Sequence, residues 1–174
     1  MLQTAVHDFP VVAGTSRRLV TAAAAVVLSL SFGARAQTFT DPDFSSEVVA
    51  TVAPFTLVGM AWSPEGDLFV WQKNGVVRVI ANGVMLPQPF LDFSSKVNAF
   101  DDRGMWGLAF DPDFATNRFV YVYYTTASAP IHNRLSRFTA SAANPDVAAA
   151  GSEVQILNLP NLSTATNHNG GAIH

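Results

Sequence analysis

The run Thr166-Asn167-His168-Asn169-Gly170-Gly171 sets one imidazole between two amides and ahead of two glycines. A histidine so placed can serve as a general base, because an imidazole's intrinsic pKa of about 6.5 leaves a neutral, proton-accepting fraction at ordinary pH. The glycines, lacking a Cβ, let backbone pass close to a flat ligand. Asn167 could orient the ring or only cap a turn, and the whole run also fits a polar turn with His168 facing water. Upstream, Asp101-Asp102-Arg103-Gly104 places two carboxylates beside a guanidinium. Asp102 is either a group near a reacting centre or a solvated loop carboxylate paired with Arg103.

Other chemistry is excluded or unsupported. The chain has no cysteine, which rules out a disulfide framework, a thiolate nucleophile and any cysteine-ligated metal. His132 and His174 have no neighbours spaced as metal ligands and are read as strand or loop residues. Asp41-Pro42-Asp43-Phe44 and Asp111-Pro112-Asp113-Phe114 fall short of the roughly six to eight oxygens calcium requires and are read as turns. No metal ligand is therefore assigned within this chain. A formal charge of −3 without a basic cluster argues against nucleic acid as a partner.

These residues must be positioned by strands. Gly59-Met60-Ala61-Trp62-Ser63-Pro64-Glu65 is echoed 48 positions on by Gly107-Leu108-Ala109-Phe110-Asp111-Pro112-Asp113, and each copy runs into a β-rich stretch, Leu68–Trp71 and Phe119–Tyr124. Gly171-Ala172-Ile173-His174 resembles the start of a third copy. Asn74-Gly75 predicts a tight two-residue hairpin, and a second Asn-Gly follows at 82–83. Arg134–Phe138 and Glu153–Leu157 alternate as half-buried strands do. Short strands recurring about every 50 residues fit the four-stranded blade of a β-propeller, with Gly59 and Gly107 letting inner strands crowd together. Propellers close with about four to eight blades. The residues after position 36 suffice for two to three, so the expectation is an all-β partial β-propeller with open strand edges and the front part of a longer protein.

Residues 1–36 read as a signal peptide: Arg17-Arg18, the apolar run 19–32, then Ala34-Arg35-Ala36 as a cleavage site. The run is short for a stable membrane span. A periplasmic or secreted location follows, and Ser16-Arg17-Arg18-Leu19-Val20 loosely resembles a twin-arginine signal. Residues 37–47 form a linker and 48–174 the partial propeller, and removing the signal leaves seven basic against twelve acidic side chains.

Three phrases resemble the glucose/sorbosone dehydrogenase family, the soluble quinoprotein sugar dehydrogenases. They are Asp102-Arg103-Gly104-Met105-Trp106-Gly107-Leu108-Ala109-Phe110-Asp111-Pro112-Asp113-Phe114, the strand Phe119–Tyr124, and Asn167-His168-Asn169-Gly170-Gly171. The sequence departs from the family pattern at Met105-Trp106, usually Leu-Leu, and at Asp111, often His. The resemblance implies a six-bladed propeller that oxidises an aldose to its lactone with calcium-bound pyrroloquinoline quinone. It further implies that His168 is the general base and that Asp102 and Asn167 lie near the quinone or substrate. The calcium ligands and the basic residues that hold the quinone would come from blades past residue 174, so the fragment alone would not turn over sugar. The electron acceptor is not implied. The competing expectation is a non-catalytic extracellular β-propeller that binds glycan or protein.

Overall fold

The computed structural model describes residues 39–52 and 56–174; the expected signal peptide at 1–36 lies outside the described residues. Two antiparallel sheets follow one another along the chain. The first contains β1 (Leu57–Trp62), β2 (Leu68–Gln72), β3 (Val76–Ala81), β4 (Val84–Met85) and β5 (Leu91–Asp92), in the order β1-β2-β3-β4 with β5 also paired to β3. The second contains β6 (Met105–Phe110), the short helix α1 (Phe114–Asn117), β7 (Phe119–Thr125), β8 (His132–Thr139) and β9 (Val154–Asn161), in the order β6-β7-β8-β9. Each sheet is one propeller blade, and the chain is an all-β partial β-propeller.

The sequence repeat survives in the register. β1 meets β2 with an irregularity between Leu57 and Gly59, and β6 meets β7 with one between Met105 and Gly107. Gly59 lies opposite Trp71 and Gly107 opposite Tyr123. The turn after each copy is closed alike, by Ser63 N–H donating to Asp67 O at 2.8 Å and by Asp111 N–H donating to Phe119 O at 3.0 Å. The second connection is longer and accommodates α1.

The two Asn-Gly pairs part company. Asn82 and Gly83 both have positive φ, 51° and 76°, and join Ala81 directly to Val84, a two-residue turn whose twist suits antiparallel strands. The expected two-residue turn at Asn74-Gly75 is instead a three-residue loop, Lys73-Asn74-Gly75, because Gly75 takes the left-handed place at its end with φ 94°.

One apolar core joins the sheets, built from Phe69, Trp71, Val77 and Val79 of the first, Phe90, Phe93 and Val97 of the connecting stretch, and Met105, Leu108, Val120, Val122, Tyr124 and Phe138 of the second. Phe69 meets Phe110 edge-on at 4.9 Å and Phe93 meets Tyr124 edge-on at 5.0 Å, each contact adding about 0.5–1.5 kcal/mol beyond area burial. β7 shows the period of two, with Val120, Val122 and Tyr124 buried. The half-buried expectation fails for β9, whose Val154, Ile156 and Leu157 are all exposed. Among the described residues that strand pairs only with β8, at the sheet's edge, and no second layer covers either of its faces. Met60 and Trp62 of β1 are exposed as well. At Gly59 the crowding is with the neighbouring side chain rather than another inner strand, since a Cβ there would overlap the Trp71 indole.

Candidate functional site

The loop Asp101–Gly104 is fastened on one side to the first sheet. Met105 N–H donates to Lys73 O at 2.9 Å, and the Lys73 ammonium donates to Asp101 O. Gly104 has φ 155°, and a Cβ there would stand 2.6 Å from Lys73 Cγ and 2.8 Å from Lys73 O, so glycine is required by this approach.

On its other side the loop clasps residues 163–169. The buried Arg103 donates from Nη2 to Ser163 O at 3.3 Å and Ala165 O at 3.1 Å. Thr166 Oγ1 donates to an Asp101 carboxylate oxygen, and His168 N–H donates to Asp102 Oδ2 at 3.0 Å. The far side of the segment is held from within the second sheet. Thr125 Oγ1 donates to Asn133 Oδ1 at 2.7 Å, Asn133 Nδ2 donates to Asn169 Oδ1 at 3.4 Å, and Asn169 Nδ2 donates back to Thr166 O at 3.0 Å. Thr125 and Asn133 are buried where β7 ends and β8 begins.

Glycines let the segment lie flat. A Cβ on Gly107 would strike Gly171 O and come within 2.9 Å of Ile173 Cγ1, and one on Gly171 would enter the Tyr123 ring. Here the expected close approach at Gly107 is present. Burial pushes the Tyr123 phenol above its ordinary pKa, so the ring under Gly171 stays neutral.

His168 is thus held with φ 61°, a left-handed conformation that costs a non-glycine residue of order 1–2 kcal/mol, and its imidazole is exposed. Of the sequence-predicted residues, Asp102 and His168 are brought together, through a backbone N–H rather than through the ring. Of the two alternatives for Asp102, a pairing with Arg103 is not formed, because the guanidinium turns to backbone carbonyls. Asn167 is exposed and contributes its carbonyl, which accepts from Asn169 Nδ2 at 3.4 Å; Asn169 is the amide tied into the fold. Arg103, Thr125, Asn133 and Asn169 carry the segment; the sequence pointed to Arg103 only as a partner for Asp102 and to Asn169 only as part of a phrase, and to Thr125 and Asn133 not at all. For Thr125 and Asn133 the one sequence signal is polarity at the ends of otherwise apolar or aromatic strands.

The donor set here is unsuited to hold calcium or a polycarboxylate quinone. Among the described residues no three His, Cys, Asp or Glu side chains converge as metal ligands. Lys73 and Arg103 already bond backbone carbonyls, and Asp101 and Asp102 present negative charge that a quinone's carboxylates would avoid. Cavities of about 410 and 420 Å³ lie around Lys96 and Glu153, away from His168, while one of about 300 Å³ is lined by Phe110, Tyr121, Leu135, Ile173 and His174. What the geometry offers is a solvent-facing imidazole on a fixed backbone. Among the described residues no helix is long and apolar enough to cross a membrane.

Residues 54–174 match the family described as Glucose / Sorbosone dehydrogenase. Among solved structures, the PQQ-bound aldose sugar dehydrogenase of Streptomyces coelicolor is similar at a TM-score of 0.58 and 22% identity, over 72% of this chain and 36% of that one. The apo form of the soluble aldose sugar dehydrogenase of Escherichia coli gives 0.53 and 20%, over 63% and 32%. At these identities the likeness establishes the fold. Human Hedgehog-interacting protein is 34% identical over 103 residues, 51% of this chain and 15% of its own length. An uncharacterized protein of Synechocystis is 32% identical over 74 residues, 38% of this chain and 18% of its own. The chain thus spans less than a fifth of the curated relatives it matches and about a third of the solved ones.

Proposed function

Because the chain belongs to the glucose/sorbosone dehydrogenase family, we propose that it is part of an exported quinoprotein oxidoreductase that converts an aldose to its lactone, with His168 as general base. The observation that carries this reading is the clasp: an exposed imidazole whose backbone is fixed by Asp102 from one side and by Asn169 and Asn133 from the other. A general base gains from such fixing because reacting groups must meet in one geometry. In the step proposed, the neutral imidazole takes the proton of the anomeric hydroxyl while the C–H bond of the same carbon gives up its hydrogen with both electrons. Pyrroloquinoline quinone, the group named for the Streptomyces relative, would supply the two-electron acceptor. The residues that bind it, and calcium with it, belong in this reading to other blades of the full-length protein. Asp102 and Asn167 flank the base and are proposed to face the sugar. Residues 1–36 are proposed to direct export to the periplasm or beyond and 37–47 to link them to the propeller at 48–174.

The test uses the full-length protein supplied with calcium and quinone and assayed with aldoses and an artificial electron acceptor. Replacing His168 with Ala is expected to lower kcat by about 10²–10⁴-fold, the usual worth of a general base. Unchanged turnover would refute the assignment. A second reading, a non-catalytic extracellular propeller that binds a protein or glycan, is favoured by the likeness to Hedgehog-interacting protein. It predicts neither quinone binding nor turnover in the full-length protein.

A further inference from the structure

Building on the reading of His168 as base, we propose that Arg103 is the positioning residue of the site: its guanidinium fixes the course of residues 163–169 and so the place of the imidazole. The three residues Asp101, Asp102 and Arg103 all reach this segment, but they differ in exposure. Both aspartates are exposed, where water competes for each hydrogen bond, whereas Arg103 is 9% exposed. One nitrogen of its planar fork serves two carbonyls, those of Ser163 and Ala165, on either side of a bend that Ser163 Oγ closes by accepting from Ala165 N–H at 3.2 Å. A lysine carries the same charge, but its nitrogen stands one bond nearer Cα than Nη2 and lacks the planar guanidinium's fixed donor directions, so it falls short of that contact.

The main-chain neighbours of Arg103 show what the contact transmits. Gly104 is pressed against Lys73 of the first sheet, and Asp102 accepts the His168 N–H. Arg103 therefore ties the His168 segment to a part of the backbone that is itself fixed by packing. Without it the segment, anchored at its start by Leu162 N–H donating to Ile131 O at 2.8 Å and followed by Gly171 packed on Tyr123, would be held between these points by the exposed carboxylates and the 3.4 Å bond from Asn133.

The experiment compares wild type, Arg103→Lys and Arg103→Ala in the full-length protein by amide hydrogen exchange and by steady-state kinetics. Wild type is expected to protect the amides of Ala165 and His168, which donate to Ser163 Oγ and Asp102 Oδ2. Arg103→Lys is expected to speed exchange there about tenfold, the scale of one charge-assisted hydrogen bond, while β6–β8 keep their protection. Its kcat is expected to fall roughly 10²-fold with KM little changed, and millimolar guanidinium is expected to restore Arg103→Ala where methylammonium does not. Unprotected Ala165 and His168 amides in wild type would overturn the proposal without any variant, as would unchanged exchange in Arg103→Lys. Loss of protection spread through β6–β8 would overturn it too, since that marks general destabilisation. Because exchange is read without sugar or quinone, it decides the positioning role even if His168→Ala keeps its turnover and the base assignment fails.

Discussion

The two blades carry one phrase in one register and differ in what they bury. The first closes over Phe69, Trp71, Val77 and Val79, and its buried polar residues are Ser63 and Gln72. The second buries Arg103, Thr125, Thr126, His132, Asn133 and Ser136 beneath and beside its valines and tyrosines. Buried polar groups destabilise a core unless they are bonded, and most of these are: His132 Nδ1 lies 2.6 Å from Pro130 O, Ser136 Oγ donates to Glu153 Oε1 at 2.9 Å, and Thr125 reaches Asn133, while Arg103 bonds through Nη2 and its Nε is buried without a partner. Apolar packing tolerates small slips, whereas a bonded polar interior has few satisfactory arrangements. The first blade is therefore the scaffold, and the second is the one whose polar interior reaches out to hold the His168 segment.

The largest expected effect comes from emptying the second blade's polar interior at Glu153. Its carboxylate accepts from Tyr124 Oη at 2.8 Å, from Ser136 Oγ at 2.9 Å and from Lys96 Nζ at 2.5 Å. Tyr124 and Ser136 are fully buried, so Glu153→Ala strands two hydroxyls and should cost about 2–3 kcal/mol in urea unfolding. Lys96 is 57% exposed, and Lys96→Ala should cost under about 1 kcal/mol. Burial pushes the Glu153 carboxyl up, but the bonds from Lys96, Tyr124 and Ser136 outweigh it and hold the pKa below 4.5. Its stabilisation is thus present above that value and lost as pH falls through the folded pKa, so the gap between wild type and Glu153→Ala should narrow in acid. Equal costs for the Lys96 and Glu153 variants would erase the contrast between the blades.

The matched glycines sharpen the contrast. In Gly59→Ala the new methyl collides with Trp71, which is packed in the core, so thermal unfolding should show a loss of about 2 kcal/mol from overpacking. In Gly107→Ala the collision is with the backbone of Gly171, which lies outside the buried core and outside any strand. The loss of stability should be smaller, and the change should appear as faster amide exchange at His168, whose N–H is bonded to Asp102. Equal destabilisation, with exchange unchanged, would mean that both glycines serve the core.

Much of this was legible in sequence. The 48-residue repeat gave the blades, because the same glycine-to-aromatic spacing forces the same strand crossing, and Asn82-Gly83 gave its turn through backbone preference alone. Asn74-Gly75 misled because the pair does not specify which loop position its glycine occupies. Alternation in β9 misled because periodicity states that two faces exist, not that either is covered. At the site, Asp102 and His168 were found through phrases of the family, yet the contact between them runs through main chain, which no side-chain pattern encodes. Thr125 and Asn133 were missed, and Arg103 was given the wrong partner, because their true partners lie on other strands or in the terminal segment, and those pairings exist only once the sheets are formed.

The smallest expected effect concerns the turn that follows each copy of the phrase. In the first blade Ser63 Oγ accepts one bond, from Asp67 N–H at 3.1 Å, whereas in the second Asp111 accepts from Asn117 Nδ2 at 2.7 Å, Asp113 N–H at 3.0 Å and Tyr121 Oη at 2.7 Å. The three donors explain an aspartate at this place, since the longer connection with α1 presents more N–H and O–H groups to be met. The bond from Asn117, then those from Asp113 and Tyr121, hold the Asp111 carboxyl below 3.8, and Tyr121 is pushed above 10.0 by donating to it. Asp111→Ser, which gives the second turn the first blade's residue, should lower the thermal midpoint less than either preceding substitution. A depressed carboxyl stabilises above its ordinary value and ceases to do so as pH falls through the folded one, so the difference from wild type should be full at neutral pH and close in acid. Glu153 is present in both proteins and cancels from that difference. A gap independent of pH would mean that Asp111 acts through its shape in the turn, and that the two blades close their turns by the same neutral contact.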